Sequence, residues 1–342
     1  MGAEATEEID VPRTEAWFEI NANPVELPLS FERIAGGRSN LTYAVSDPAG
    51  RRWALRRPPL GARLASAHDM GREHRIISAL QATDVPVPPA IGFSEDGDYP
   101  FYVMGWVEGP ILRSRDEAGA FPEEAQRRAI GERVVDTLVA IHAVDPDAAG
   151  LGELAKKEDY VARQLHRWHG QWQKQHRREL ELIDEVHDRL AARIPKQGQA
   201  SIVHGDYRLD NMILTPGGEV AAVVDWELCT LGDPLADVGL LLVYWGEEGD
   251  DLIPLIEPAT MLPGFPTREE VKERYAGRSG RDLSEIDFYV ALGLWKLAIV
   301  LEGVFARYSA GQYGEPDEGA EEVARVVERL VGAADEAERR LG

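Results

Sequence analysis

The chain has 342 residues, 44% hydrophobic and 28% charged, which excludes a disordered polymer and leaves room for two substantial cores. With 60 Asp and Glu against 37 Lys and Arg, the formal net charge is -23. That balance excludes a general nucleic-acid binder, which needs cationic contacts to phosphate, and argues against adhesion to anionic membranes. Cys229 is the single cysteine, so neither an internal disulfide nor a multi-cysteine zinc site can form. Its apolar neighbours predict a buried, inert thiol.

The acidic N-terminus lacks the basic start and apolar core of a signal peptide. Phe288 to Phe305, the longest apolar stretch, carries Lys296 and Glu302, so it reads as a buried helix rather than a membrane span. Met1 to Thr6 fits the loose myristoylation pattern and Asn40-Leu41-Thr42 the glycosylation triplet, both at the level of chance. The expectation is a cytoplasmic protein, a monomer or homodimer, with no nucleic-acid or membrane partner.

In chain order, residues 1–27 are acidic and weakly periodic, predicting a loose tail or a strap over the first lobe. Residues 28–107 are strand-rich. Strands over Phe31–Ala35 and Leu41–Val45 flank Gly36-Gly37-Arg38-Ser39-Asn40, and a strand over Arg52–Arg56 follows the turn Asp47-Pro48-Ala49-Gly50. The spacing of Met70, Ile76, Ile77 and Leu80 predicts a helix over Ala67–Leu80. Pro86, Pro88 and Pro89 end it, and Ala90–Phe93 and Phe101–Met104 alternate like strands. Gly105 and Gly109-Pro110 mark a linker. Residues 108–342 then turn helical, over 122–143, 157–175, 178–193, 236–245, 267–277, 284–308 and 317–340, with a strand pair embedded near 202–225. There are no internal repeats. The predicted class is α+β, with a small β-rich N-lobe and a large, mostly helical C-lobe.

The chemistry concentrates in Ile202-Val203-His204-Gly205-Asp206-Tyr207-Arg208-Leu209-Asp210-Asn211, followed by Val223-Val224-Asp225-Trp226-Glu227. An apolar run ends at His204, a polar loop follows, and a second run starts at Met212. Pro216-Gly217-Gly218 turns the chain, and Glu219–Val224 returns as a strand delivering Asp225. Loops meeting at strand ends can bring Asp206, Asn211 and Asp225 together. Asp206 is the candidate base, able to accept a proton from an attacking hydroxyl. Asn211 and Asp225 are hard oxygen donors, suited to magnesium that also bridges phosphates. Glu227, two residues on, shares a side with Asp225 in extended backbone and is a further candidate ligand, directly or through water. A lone Asp more often caps a helix or pairs with Arg. The whole constellation outweighs that reading.

On these residues the chain resembles the aminoglycoside phosphotransferase and choline kinase superfamily, relatives of protein kinases, over about residues 28 to 310. His204-Gly205-Asp206 stands where protein kinases have His-Arg-Asp, and Asp225-Trp226-Glu227 where they have Asp-Phe-Gly; both are traits of small-molecule kinases. The resemblance implies a two-lobed protein-kinase-like fold, ATP (or GTP) and Mg2+ as cofactors, and catalytic roles for Asp206, Asn211 and Asp225. In the first lobe it makes Gly36, Gly37, Ser39 and Asn40 the loop over the phosphates, although GxGxxG is missing. Arg56 falls where kinases place a strand lysine, with Arg57 as a substitute and Glu73 as the ion-pair partner. Met104 and Trp106 belong to the hinge that would hydrogen-bond adenine.

Val161 to Arg178 contains no acidic residue. Arg163 and Arg167, and Trp168 and Trp172, sit one helical turn apart, which suggests docking of an anionic group with an apolar or planar portion. Pairing with the acidic run Glu179 to Glu185, or with a neighbouring helix, is the equally weighted bland alternative. Tyr160-Val161-x-Arg163-Gln164-x-x-x-Trp168, Leu262-Pro263-Gly264-Phe265-Pro266, Asp287-Phe288-Tyr289 and Gly303-Val304-Phe305-Ala306-Arg307-Tyr308 resemble the kinase-like domain fused to acyl-CoA dehydrogenases in long mammalian enzymes. That subgroup implies a hydroxyacyl-CoA thioester as acceptor. The rival expectations are an aminoglycoside or macrolide phosphotransferase and, given Arg56 and the irregular glycine loop, a non-catalytic nucleotide-binding pseudokinase. Asp233 and Asp237 read as a helix cap and a brace for the catalytic loop, and His142 as a packing residue.

Overall fold

Strand alternation organises the first of two units in the computed structural model, which describes residues 9–34, 40–58, 69–95, 99–250, 252, 257–309 and 318–341. This unit takes the described residues up to Gly109 together with Ala221–Cys229. Its sheet is antiparallel, in the order β1 (Ser30–Arg33), β2 (Leu41–Ser46), β3 (Arg52–Arg57), β5 (Phe101–Gly105), β4 (Ala90–Ser94). On β3, Trp53 and Leu55 enter a core with Phe18, Tyr43, Val45, Phe101 and Val103. Arg56, one residue along, therefore leaves from the opposite face.

That core also contains what was expected to be a loose tail or strap. Val11–Asn21 is a helix, α1, whose Phe18 ring packs edge-on against Trp53 at 5.4 Å. The helix escaped the periodicity reading because only Thr14 and Phe18, a single turn apart, are buried along it. Its start signals were present: Asp10 Oδ1 accepts from the Arg13 N–H at 3.2 Å, and Pro12 lies in the first turn. Helix α2 (Met70–Leu80) follows the predicted range closely and buries Glu73, Ile76, Ile77 and Leu80.

Residues 221–229, expected within one continuous C-lobe, group instead with this first unit. The Val223 N–H donates to the Pro86 carbonyl at 2.8 Å, and Arg72 Nη2 to the Cys229 carbonyl at 2.7 Å. Cys229 is buried, as its neighbours suggested.

The second unit comprises Pro110–Val220 and the described residues from Thr230 onward. Its elements are α3 (Arg115–Ala118), α4 (Glu124–Ala143), α5 (Tyr160–Gln175), α6 (Glu181–Ala192), β6 (Ser201–Val203), β7 (Met212–Leu214), the first residue of β8 (Val220–Val223), β9 (Thr230–Gly232), α7 (Leu235–Tyr244), α8 (Arg268–Ser279), α9 (Ile286–Ser309) and α10 (Glu318–Arg339). The long predicted helices fall within a few residues of these. The short strand β9 was not expected; it pairs antiparallel with β6, Ile202 opposite Leu231.

Helix α9 is long and apolar enough to cross a membrane by composition, but 72% of its apolar window is buried within the protein. It packs against α5, α6, α7 and α10. Glu302 on it is fully buried and accepts from Arg178 Nη2 at 2.8 Å. The approach of α7 to α9 depends on Gly239, where an added Cβ would stand 2.5 Å from the Tyr289 backbone. Gly239→Ala is expected to destabilise the protein by about 1–3 kcal/mol through overpacking, read as a lower urea midpoint with an unchanged slope.

Candidate functional site

In the second unit, β6 delivers the His204–Asn211 loop and a buried carboxylate shapes it. Asp237 Oδ2 accepts from the His204 N–H at 2.6 Å and Oδ1 from the Gly205 N–H at 2.8 Å. Gly205 has φ +85°, a conformation that suits glycine. Beyond it, Asn211 Nδ2 donates to the Asp206 carbonyl at 2.8 Å and to Asp206 Oδ2 at 3.1 Å. The amide thus holds the carboxylate. Arg208 Nε lies 3.5 Å from Asp206 Oδ2, and its guanidinium stacks over Tyr244 at 4.9 Å. Burial and the Asp206 charge push the Tyr244 phenol above its ordinary range.

Asp237 is braced in turn. His142 Nε2 lies 3.3 Å from its Oδ2, and His142 Nδ1 lies 2.7 Å from the Tyr275 hydroxyl. Burial alone would raise the Asp237 pKa, but the hydrogen bonds from His142 and the Gly205 N–H outweigh it, and the carboxyl lies below its usual range. Burial pushes His142 the same way, below the ordinary imidazole value. Asp233, just before α7, accepts from the Leu235 N–H at 3.0 Å and from the Tyr289 hydroxyl at 2.8 Å. The brace and packing roles expected for Asp233, Asp237 and His142 are what these bonds describe.

The first unit carries its own charged cluster. Arg56 Nη1 donates to Glu73 Oε1 at 2.8 Å, while Nη2 donates to Asp225 Oδ1 at 2.6 Å and Glu227 Oε2 at 3.2 Å. Burial opposes the charge on Arg56, but the three carboxylates hold its proton more tightly than usual. Burial also raises the Glu73 carboxyl, with Arg56 acting against the rise. Asn40 Nδ2 donates to Glu227 Oε2 at 3.0 Å. Asp225 has φ +66° and ψ +59°, left-handed backbone that Asp tolerates better than most residues. Arg57, the alternative to Arg56, leaves from the other face and stacks over the Tyr99 ring at 4.1 Å. Of the two, Arg56 reaches the acidic residues.

The donor chemistry fits a hard cation. Asp225 and Glu227 supply carboxylate oxygens, the ligand type that magnesium takes alongside phosphate and water. Among the described residues no group of three or more His, Cys, Asp or Glu side chains could hold a metal alone. One or two carboxylates completed by substrate phosphates is the usual magnesium arrangement.

The other expected contacts divide. Gly36, Gly37 and Ser39 lie outside the described residues. Met104 is buried on β5 opposite Ala54. Trp106 carries the Arg52 guanidinium 3.9 Å over its ring and donates from Nε1 to Glu108 at 2.8 Å. On α5, Trp168 and Trp172 are buried, which contradicts a substrate platform built from both rings. Trp172 in particular is 2% exposed and packs against His176 at 4.5 Å. Arg163 Nη2 is bound to the Lys156 carbonyl at 2.5 Å. His169 pairs with Asp184 of the acidic run at 2.7 Å, as the bland alternative required. Arg167 remains exposed, 5.3 Å over the Trp168 ring. Lys296 went unread as a site residue; its Nζ donates to the Gly205 carbonyl at 2.6 Å. A charge in the middle of an apolar helix was the signal that could have found it.

Residues 30–287 match the phosphotransferase enzyme family. The chain is 36% identical to acyl-CoA dehydrogenase family member 10 of Mus musculus over 299 residues, covering 85% of this chain and 27% of that protein. It is 31% identical to acyl-CoA dehydrogenase family member 11 of Rattus norvegicus over 301 residues, covering 84% and 38%. The chain therefore spans well under half the length of these relatives. Among solved structures, a candidate aminoglycoside phosphotransferase from Ralstonia eutropha JMP134 superposes with a TM-score of 0.81 at 30% identity, covering 97% of this chain and 98% of that one. The GDP complex of aminoglycoside 2'-phosphotransferase-IIIa superposes with a TM-score of 0.61 at 14% identity, covering 95% and 99%, a likeness of fold. The fold is the kinase-like phosphotransferase fold, with a small antiparallel sheet and a largely helical second unit.

Two outcomes follow from the charged groups. Arg56→Met leaves Glu73 buried without its cation and is expected to cost about 3–5 kcal/mol of stability, whereas Arg56→Lys loses less; chemical denaturation measures both. Because burial lowers the folded-state pKa of His142, its stability contribution is complete above about pH 6.5 and is lost as pH falls below that value. His142→Asn should therefore lose less stability than wild type between pH 8 and pH 5.5, by urea midpoints at each pH.

Proposed function

The chain belongs to the phosphotransferase enzyme family, and on that premise we propose that it transfers the terminal phosphoryl group of ATP, with GTP as the alternative donor, to a hydroxyl of a small molecule. The observation that carries the reading is the clasp of Asn211 Nδ2 on both the carbonyl and Oδ2 of Asp206. It fixes a carboxylate whose side chain stays 24% exposed, and so within reach of an acceptor.

Magnesium bound with the nucleotide would neutralise charge on the phosphates and on the developing leaving group. Asp225 and Glu227 are the side chains of the first unit that would hold it. Arg56, already gripping Glu73 and Asp225, would steady the phosphates. Asp206 orients the acceptor hydroxyl and takes its proton as the oxygen bonds to the terminal phosphorus. The bond from that phosphorus to the bridging oxygen breaks, and the nucleoside diphosphate departs with the electron pair.

For the acceptor we propose a hydroxyacyl-CoA. The support is that relatives bearing this domain are named acyl-CoA dehydrogenase family members. Cations beside Asp206, Arg208 at 3.5 Å and Lys296 on the neighbouring carbonyl, favour an anionic acceptor over a polycation. An aminoglycoside is the competing acceptor, on the likeness to the Ralstonia eutropha protein.

The test incubates the protein with Mg-ATP and a panel of hydroxyacyl-CoA thioesters, aminoglycosides and macrolides, scored by a mass gain of one phosphate. Phosphorylation of a thioester is the expected result, and phosphorylation of the antibiotics alone would replace it. Nucleotide binding without transfer to any panel member would leave a binding module. Asp206→Asn should keep ATP affinity and lose about 10²–10⁴-fold in turnover; undiminished turnover would remove Asp206 from its role.

A further inference from the structure

Helix α9 runs through the second unit with Trp295 and Leu297 buried, yet places a lysine between them. Lys296 is half-buried, and such a lysine costs desolvation unless its charge is used. Its Nζ donates to the Gly205 carbonyl at 2.6 Å and lies 5.3 Å from the Trp168 ring centroid. The adjoining cavity, of about 20 Å³, is lined by Tyr160, Gln164, Trp168 and Asp237 among others. It has room for a water-sized group and none for an acceptor.

The carbonyl that Lys296 grips belongs to the peptide plane joining Gly205 to Asp206. At the other edge of that plane the Asp206 N–H donates to His204 Nδ1 at 3.3 Å. The preceding plane is held by the Gly205 N–H on Asp237 Oδ1 at 2.8 Å. Gly205 is the residue most able to rotate here, being glycine at φ +85°. Successive planes pinned on both sides leave Asp206 little freedom to swing. We propose that Lys296 is a positioning residue for Asp206, fixing the Gly205–Asp206 peptide and setting a positive charge beside the carboxylate that takes the acceptor's proton. The assignment rests on the reading of Asp206 as base.

Asp206 and Asp237 face Lys296 as attractive charges and Arg167 as a repulsive one. Burial nonetheless lowers the ammonium pKa below the ordinary lysine value. The attraction is reciprocal, so removing the Asp206 charge must lower it further.

The test compares wild type, Lys296→Met, Lys296→Gln, Lys296→Arg and Asp206→Asn, each checked for folding by thermal denaturation. In lysine-ε-13C-labelled protein, the Lys296 resonance, assigned by its loss in Lys296→Arg, should titrate below the other lysines and shift lower still in Asp206→Asn. An unmoved midpoint in Asp206→Asn overturns the coupling. In phosphotransfer to whichever panel acceptor is turned over, Lys296→Met should lower kcat about 100-fold, the scale of a misplaced catalytic group, with KM for ATP little changed and partial rescue by Lys296→Arg. A lysine that merely stapled α9 to the loop would lower the melting temperature and leave kcat intact, overturning the proposal. Should Lys296→Met fail to fold, Lys296→Gln carries the same readouts. If wild type phosphorylates nothing, the proposed function fails, while the titration still scores the Lys296–Asp206 coupling.

Discussion

A buried carboxylate on the first turn of α7 sets the shape of the loop on which the second unit's chemistry hangs. Asp237 is about 1% exposed and survives as an anion because two backbone N–H groups and an imidazole converge on it. Such donors do for a carboxylate what water would do, without moving. His142 comes from α4 and Tyr275 from α8, so one acid links two helices to the end of β6. The neutral imidazole donates from Nε2 to Asp237 and accepts at Nδ1 from Tyr275, the tautomer this chain of bonds requires. The left-handed turn at Gly205 follows from satisfying both N–H groups with the two oxygens of a single side chain.

The first unit meets a similar demand by different means. A lysine on β3 could give one nitrogen to Glu73, with its charge concentrated at one point. Arginine presents two terminal nitrogens, and the structure uses both, Nη1 on Glu73 of α2 and Nη2 on Asp225 and Glu227. The guanidinium therefore ties the helix, the strand and the 221–229 segment together. This geometry explains why that segment groups with the first unit and not with the residues that flank it in sequence. It also gives the departure from the kinase lysine a structural reason, so Arg56 need not signal a degenerate site.

Much of this was legible in the sequence, for identifiable reasons. Asp206, Asn211 and Asp225 stood out because apolar runs, turn residues and acids alternate at fixed spacing there, and β6, β7 and β8 occur where those runs lie. Pairing of Arg56 with Glu73 was implied by the resemblance to kinases, which put a cation on that strand and its acid on the following helix. What failed were inferences that needed tertiary context. Helix α1 has too short an apolar stripe to announce itself, and Trp168 and Trp172 looked like a surface platform because helical spacing does not say which way a face points. Lys296 lies ninety-one positions from Gly205, a separation at which no local pattern could pair them.

The basic window of α5 shows how net charge misleads when read along a chain instead of in space. Its freedom from acids suggested a docking site, yet Arg163 binds backbone carbonyls, His169 binds Asp184, and Arg178 just beyond it binds Glu302 and Glu328. Those acids sit on α6, α9 and α10, and they take up part of the positive charge of the window. The cations that bear on Asp206 arrive from elsewhere: Arg208 from the loop itself and Lys296 from α9. The positive charge that would bear on an anionic acceptor, first attached to the surface of α5, therefore lies beside Asp206, where a charge is partly desolvated and less screened by salt than at an exposed helix face.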